Sequence, residues 1–264
     1  MSPAATRLAE MTSAEAAASA RAGRIVVLPV GALEQHGPAM PLGTDTYRAD
    51  AVAERVVSRL PDDAVLGPTL PIGISPHHLG FPGTVSLTTR TFTALVREIA
   101  VGLHRQGFHR ILVVTGHGGN NASLTTIAQD LLASDPDLEF AWTPLTSVAA
   151  DIVRSAGVSA VHGHCGEAET AQMLEVAPDL VRRDLLEPGP TRPEDLDPLS
   201  ALARSVSHPT LTRSWDDLTP NGVLGDPRQA TEQLGAELIE TITERICDFL
   251  GRWAQLWNLT LPFP

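Results

Sequence analysis

An α/β fold with a parallel sheet is the architecture this sequence predicts, and three observations predict it. Short apolar runs alternate with stretches of helical periodicity along the chain. Two of those runs, Ile25 to Val30 and Arg110 to Val114, lack the in-out alternation of a half-exposed strand, so they read as strands covered on both faces. Each of the two empties into a glycine-containing loop that holds histidine, where open parallel sheets place their chemistry. With 264 residues and 43% hydrophobic content the chain can build a sizeable core, and one domain over 1–264 is expected.

The elements follow in order. Met1 to Ala22 is Ala-rich, with Glu10 and Glu15 interspersed, and lacks the basic start and continuous apolar centre of a signal peptide. Gly31 ends the first strand. Tyr47 to Leu60 has Ala49, Val52, Ala53, Val56, Val57 and Leu60 at helical spacing, and Pro61 stops it. A short strand fits Val65 to Leu70, before a long Gly/Pro/His loop from Pro71 to Gly83. Phe92, Leu95, Val96, Ile99 and Leu103 mark a helix over 91–105, with Gly107 just past its end. The strand at 110–114 follows, then a helix over 123–133 and a further parallel strand over 138–142. A helix is expected from the end of the polar cluster 162–170 to about Val176. Pro178 to Arg228 is rich in Pro, Asp and Arg with weak periodicity, which suits a long excursion over the surface or against a neighbouring subunit. A last helix from about Gln229 to Trp253 aligns Leu234, Leu238, Ile242, Ile246 and Phe249 on one face.

Charge and composition exclude whole classes of function. A net charge of −12 argues against nucleic acid as partner, because phosphate binding needs clustered Lys and Arg. No apolar stretch approaches the ~20 residues that span a bilayer. Cys165 and Cys247 suit a reducing cytoplasm better than a disulfide scaffold, so a cytoplasmic location is expected.

Three clusters can carry chemistry. Glu34, His36 and Asp45 lie in the loop after the first strand, and one imidazole with two carboxylates suits Zn, Mn or Fe(II) better than Ca or Mg. Read alone, Glu34 could cap a turn and His36 could be an ordinary loop histidine. His117 follows the second strand between glycines that allow close backbone approach. That loop lacks the Lys-Ser/Thr end of a P-loop and the dinucleotide spacing, so phosphate binding is disfavoured. Asn120 and Asn121 suit helix capping. The third cluster, residues 162–170, offers His162, His164, Cys165, Glu167 and Glu169. Glu167 and Glu169 are two apart, so on a new helix they point apart: one can bind metal while the other moves protons or orients His164. Cys165 reads as a packed small residue. His77 and His78 could wall a pocket, and His104, His109 and His208 read as surface or structural.

Glu-Gln-His-Gly-Pro at 34–38, Gly-Thr-Asp at 43–45, Phe-Pro-Gly-Thr at 81–84, Gly-His-Gly-Gly-Asn at 116–120 and His-x-Gly-Glu-x-Glu-Thr at 164–170 together resemble the creatininase (creatinine amidohydrolase) family. The resemblance implies a three-layer α/β/α sandwich with a mostly parallel sheet, a site for two divalent metal ions and a homohexamer. Carried over, it makes Glu34 and His36 ligands to different ions, Asp45 the bridge and His117 a ligand beside Glu34. Creatininases proper have Tyr and a metal-binding Glu directly after that histidine. Gly118 and Gly119 stand there instead, and Glu167 is the candidate for the missing ligand.

The resemblance further implies that a dimetal-activated water attacks an amide carbonyl, with Glu169 moving the proton and His164 holding substrate or oxyanion. A small cyclic amide is the expected substrate. Creatinine itself is disfavoured, because the tyrosine is gone and residues 147–161 hold no tryptophan. The alternatives are a peptidase of the mycofactocin type, releasing a C-terminal dipeptide, and a non-catalytic binding protein that kept the fold.

Overall fold

The computed structural model describes residues 6–204 and 209–260. After a helix α1 (Ser13–Arg21), the first strand β1 (Ile25–Val30) is followed by α2 (Thr44–Arg59) and β2 (Ala64–Leu66). Then come α3 (Thr89–His104), β3 (Arg110–Thr115), α4 (Asn121–Ser134) and β4 (Glu139–Pro144). The four strands form one parallel sheet in the order β2-β1-β3-β4.

The pleat sends alternate residues to opposite layers. Ile25, Val27, Leu112 and Val114 pack against α2 and the C-terminal helix through Val52, Val56, Leu238 and Ile242. Val26, Leu28, Ile111 and Val113 pack against α3 and α4 through Phe92, Val96, Leu124 and Ile127. Two apolar layers on one sheet make the α/β/α sandwich that the motifs imply. Every side chain of β1 is buried, which is why its sequence has no polar alternation.

Some boundaries differ from the sequence reading. α2 begins at Thr44 rather than Tyr47, so Asp45 sits in its first turn, where a carboxylate is favoured by the helix dipole. β2 stops at Leu66 because Gly67 and Pro68 interrupt the ladder, and Leu70 rejoins Val30 only as an isolated bridge. Two short helices, α5 (Leu145–Val148) and α6 (Ala150–Ser155), fill a stretch without punctuation in the sequence. α7 (Glu167–Val176) starts inside the third polar cluster.

The excursion over 178–228 is 3-10 turns with two short helices, α8 (Pro198–Ala203) and α9 (Trp215–Leu218). It comes back onto its own chain, with Leu224 N–H donating to His164 O at 3.0 Å. In the last helix, α10 (Glu232–Thr260), Leu238, Ile242 and Ile246 are buried as expected. Phe249 is 47% exposed and Leu250 takes its core position, four residues on from Ile246 rather than three. His208 lies outside the described residues.

β1 and β3 are adjacent, and the chain leaves them toward opposite edges of the sheet. Their carboxyl ends therefore open a crevice at the switch point. Gly116 brings α2 across that crevice: its N–H donates to Val30 O at 3.0 Å, and a Cβ on it would collide with Asp45 O. Gly116→Ala should cost about 1–3 kcal/mol from overpacking, read as a lower denaturation midpoint; an unchanged midpoint would contradict this packing.

Candidate metal centre

The loop after β1 delivers Glu34 and His36, and its path is set by backbone contacts. Glu34 N–H donates to Leu42 O at 3.0 Å, and Leu33 bridges Val85. The first turn of α2 adds Asp45, the loop after β3 adds His117, and the start of α7 with the residues before it adds Glu169 and His164. All lie at the crevice.

Two triangles of donors share Asp45. Asp45 Oδ2 is 3.2 Å from His117 Nδ1, which is itself 3.2 Å from Glu34 Oε1. Asp45 Oδ1 is 3.5 Å from His36 Nε2, which lies 3.7 Å from Glu169 Oε2. Glu34, His36 and Asp45 are buried with their donor atoms mutually within 4.8 Å, as are those of His36, His164 and Glu169.

Each imidazole is held by a hydrogen bond on its far side. His36 Nδ1 donates to Glu34 O at 3.2 Å, His117 Nε2 to Ile74 O at 2.9 Å and His164 Nε2 to Gln35 O at 2.9 Å. A backbone carbonyl only accepts, so the other nitrogen of each ring is left bare and aimed at the carboxylates, the tautomer that a metal ligand needs.

The groups themselves fit a divalent cation. Both oxygens of Glu34, His36 Nε2 and Asp45 Oδ2 are buried without a hydrogen bond. Such orphans are costly unless something binds them. Electrostatics agrees. Burial draws His36 down, but Asp45 and Glu169 outweigh it and hold the imidazole up at about 9. Against burial, Glu34 and Asp45 keep His117 well above the ordinary range. Burial raises Glu34, whereas Asp45 is held well below the usual carboxylate range by His36 and His117 against its own burial. The carboxylates that raise His36 and His117 are the same groups that would attract a cation.

The structure separates the two glutamates of the third cluster. Glu169 faces the centre: Oε2 accepts from Cys165 N–H at 2.7 Å and Oε1 from Arg48 Nη1 at 2.7 Å. Glu167 points away, and its Oε1 accepts from Ser159 N–H at 3.0 Å and Asp226 N–H at 3.1 Å. It belongs to none of the donor groups found among the described residues. Glu167, the expected replacement ligand, is thus not brought to the donors, and Glu169 stands there instead. The reason is that the helix begins at Glu167 and two residues turn the side chain by about 200°. At Gly119 a Cβ would collide with His117 Nε2 and Ile74 O, so this backbone leaves no room for a carboxylate at position 119.

Several residues at the site escaped the sequence reading. Arg48 is fully buried one turn after Asp45, and spans Asp45 Oδ1 at 3.3 Å, Glu169 Oε1, Gln172 Oε1 at 3.0 Å and Thr146 Oγ1 at 3.1 Å. Its signal was a charge on the apolar face of an amphipathic helix. His78, read only as a wall, is buried with Nε2 3.5 Å from Glu34 Oε1. Trp215, from the excursion, stacks on that ring at 4.9 Å and 11°. Burial and the neighbouring His164 push His78 far down, so it stays neutral. His77 stacks on His117 at 5.6 Å, and burial first, then His117, lowers it to about 4. Cys165 Sγ is buried against His36 O at 2.8 Å, a packing role as expected. His104 and His109 pair with each other at 5.1 Å, outside the cluster.

A cavity of about 530 Å³ borders the centre. Glu169, His164 and Gly116 form its inner end, Leu145, Val153 and Val158 its apolar side.

The chain has relatives among known proteins. The profile of the family described as creatininase, creatinine amidohydrolase, matches residues 9–250. A mycofactocin precursor peptide peptidase of Mycolicibacterium smegmatis is 34% identical over 233 residues, 87% of this chain and 85% of that protein. A crystal structure of creatinine amidohydrolase superposes with a TM-score of 0.81 at 26% identity, over 94% of this chain and 97% of that one. A mutant creatininase of Zn-Zn type gives a TM-score of 0.77 at 26% identity, over 93% of this chain and 97% of that one.

Zinc binding at pH 7 should release protons. With His36 at about 9, the ring carries a proton at pH 7 that a metal must displace, so apparent affinity rises with pH from 7 toward about 9. Calorimetric titration in buffers of different ionisation enthalpy reads this, and heats independent of the buffer would contradict it.

Proposed function

We propose, from the premise that this chain belongs to the creatinine amidohydrolase family, that it is a metal-dependent hydrolase that breaks the C–N bond of an amide. The observation that carries the reading is the pair of donor triangles joined through Asp45. Glu34, His117 and Asp45 would hold one divalent ion, and His36, Asp45 and Glu169 the second. Zinc and manganese both suit these ligands, with iron a third candidate. The pair supplies Lewis acidity to the carbonyl and to a water molecule.

The chain's own groups do the rest. Arg48 is fixed by five partners, and it holds the Glu169 carboxylate aimed at the centre. Both oxygens of Glu169 are accepting hydrogen bonds, which suits a ligand and not a proton carrier. We therefore assign the proton to His164. Its bare Nδ1 lies 3.8 Å from Glu34 Oε1 and 3.9 Å from Glu169 Oε2, close enough to the reacting atoms to take a proton from water and return it to the leaving nitrogen. Glu34, buried with no hydrogen bond to either oxygen, is left to a cation for its compensation.

The substrate we favour is a peptide. The cavity of about 530 Å³ exceeds the needs of a five-membered cyclic amide, and a relative of 34% identity is a precursor peptide peptidase. The small cyclic amide remains the second reading, supported by the creatinine amidohydrolase structure that superposes over 94% of the chain. The working form we propose is a homo-oligomer, a hexamer by the family resemblance.

Asp45→Ala should abolish turnover, because both metal positions lose a ligand, and lower bound metal on elemental analysis. Full activity in a metal-free preparation would refute the reading. Incubation of the zinc-loaded protein with the modified mycofactocin precursor, and in parallel with lactams, hydantoins and formamides, separates the substrates. Loss of a C-terminal dipeptide mass supports the peptidase, whereas turnover confined to the cyclic compounds supports the second reading.

A further inference from the structure

Four buried imidazoles surround the carboxylates, and three of them are oriented alike. His36, His117 and His164 each give a far-side N–H to a backbone carbonyl and turn a bare nitrogen inward. His78 is the exception. Its far-side nitrogen, Nδ1, meets the side-chain carboxamide of Gln35 at 2.9 Å.

The orientation of that carboxamide is decided by its other contacts. Gly37 N–H donates to Oε1 at 3.0 Å, so this atom is the oxygen. Nε2 faces the carbonyl of Gly222 at 3.1 Å, which only accepts. Gln35 Nε2 also lies 2.9 Å from His164 Nε2, but that nitrogen is occupied in donating to Gln35 O. With His164 Nε2 donating to Gln35 O, the two amide hydrogens go to Gly222 O and His78 Nδ1, which gives each of these two acceptors a donor. Because Nδ1 accepts, the ring carries its proton on Nε2. That nitrogen points inward, 3.5 Å from Glu34 Oε1.

We propose that His78 is a catalytic residue that donates Nε2–H to the carbonyl oxygen of the scissile amide, and that Gln35 is the positioning residue that fixes this tautomer. The proposal rests on the reading of the site as an amide hydrolase. As the water oxygen bonds to the carbonyl carbon, the π pair moves to the carbonyl oxygen, where the Nε2–H hydrogen bond meets the developing charge without transferring its proton. When the carbonyl re-forms, the C–N bond breaks, and the leaving nitrogen takes the proton that the water gave up to His164. A prearranged donor in a site closed to water strengthens as that charge grows.

The surroundings are built for it. Trp215 lies flat on the His78 ring, at 11°, and His164 stacks on it at 4.4 Å, which holds the ring plane. Gly222 lets the backbone approach Gln35, since a Cβ there would collide with Oε1 and its φ is +80°. Both Trp215 and Gly222 belong to the excursion, so that segment completes the donor rather than only covering the surface. Glu34, His78 and His164 are also close enough to hold a cation, but an inward N–H on His78 cannot ligate one.

The test uses zinc-loaded protein labelled with ¹⁵N-histidine. The His78 ring, assigned by difference from His78→Leu, should be protonated on Nε2, and Gln35→Glu, which can only accept, should move the proton to Nδ1 with bound zinc unchanged. On an amide that the wild type hydrolyses, Gln35→Glu and His78→Leu should lower kcat by about 10²–10³ with KM altered only a few-fold. His78→Gln, which can return an N–H to the same place, should recover part of the loss. Nδ1 protonation in the wild type, loss of zinc from His78→Leu, or equal kcat for the Leu and Gln variants would each overturn the proposal. Failure of the wild type on every amide defeats the hydrolase reading instead, while the ¹⁵N spectra still decide the tautomer.

Discussion

Burying three carboxylates together is the constraint around which this molecule is arranged. Glu34 and Asp45 are essentially inaccessible, and the Glu169 side chain is only 12% exposed. Each ion removed from water costs several kcal/mol after relaxation, so the cluster persists only if cations and donors meet it at close range. Arg48 is the permanent counter-charge. It reaches across from α2 to Glu169 on α7, and it touches the carbonyl of Gly116 after β3 at 3.4 Å. One guanidinium therefore joins three elements whose order along the chain is unrelated to their contact. The orphaned atoms that it does not reach, Glu34 Oε1 and Oε2, His36 Nε2 and Asp45 Oδ2, lie where the donor triangles converge.

This division of labour explains which parts were legible in the sequence. The strands β1 and β3 were, because a strand covered on both faces must be apolar throughout, and that pattern has few other readings. The family motifs were legible because Glu34, His36, Asp45 and His117 follow those strands at short distances and are rigidly spaced. Glu169 was harder: choosing it over Glu167 requires knowing the first residue of α7, and boundaries are the least determined feature of a sequence pattern. The contacts of Arg48 and Gln35 were hidden for another reason. Their roles come from partners over a hundred residues away, Glu169 and Gly222, which no local periodicity encodes.

The excursion shows the same limit from the other side. Its weak periodicity is real, since among the described residues its helices are short and its turns are 3-10. Low periodicity suggested a peripheral role, yet its end is pinned at the centre. Leu224 bridges His164, Gly222 O accepts from Gln35, and Asp226 N–H donates to Glu167. Glu167 has backbone partners of its own there. Its carboxylate fastens the returning segment to the start of α7, and by doing so it supports the stretch that carries Trp215 and Gly222.

The glycines after His117 can now be placed in physical terms. Gly118 faces open space and lines the cavity, whereas Gly119 is packed against His117, Ile74 O and His77. A Tyr-Glu pair at these positions would put an aromatic ring into the cavity and a carboxylate where there is no room. Their absence widens the space beside the centre, while Glu169, held by Arg48 and Cys165 N–H, keeps the second donor triangle closed. On the proposed reading, reaction and substrate are therefore governed by different residues. The donor set depends on buried charge and tolerates little change, but the cavity wall can vary from residue to residue without disturbing it. A family built this way can exchange a small ring for a peptide and keep the same hydrolytic chemistry.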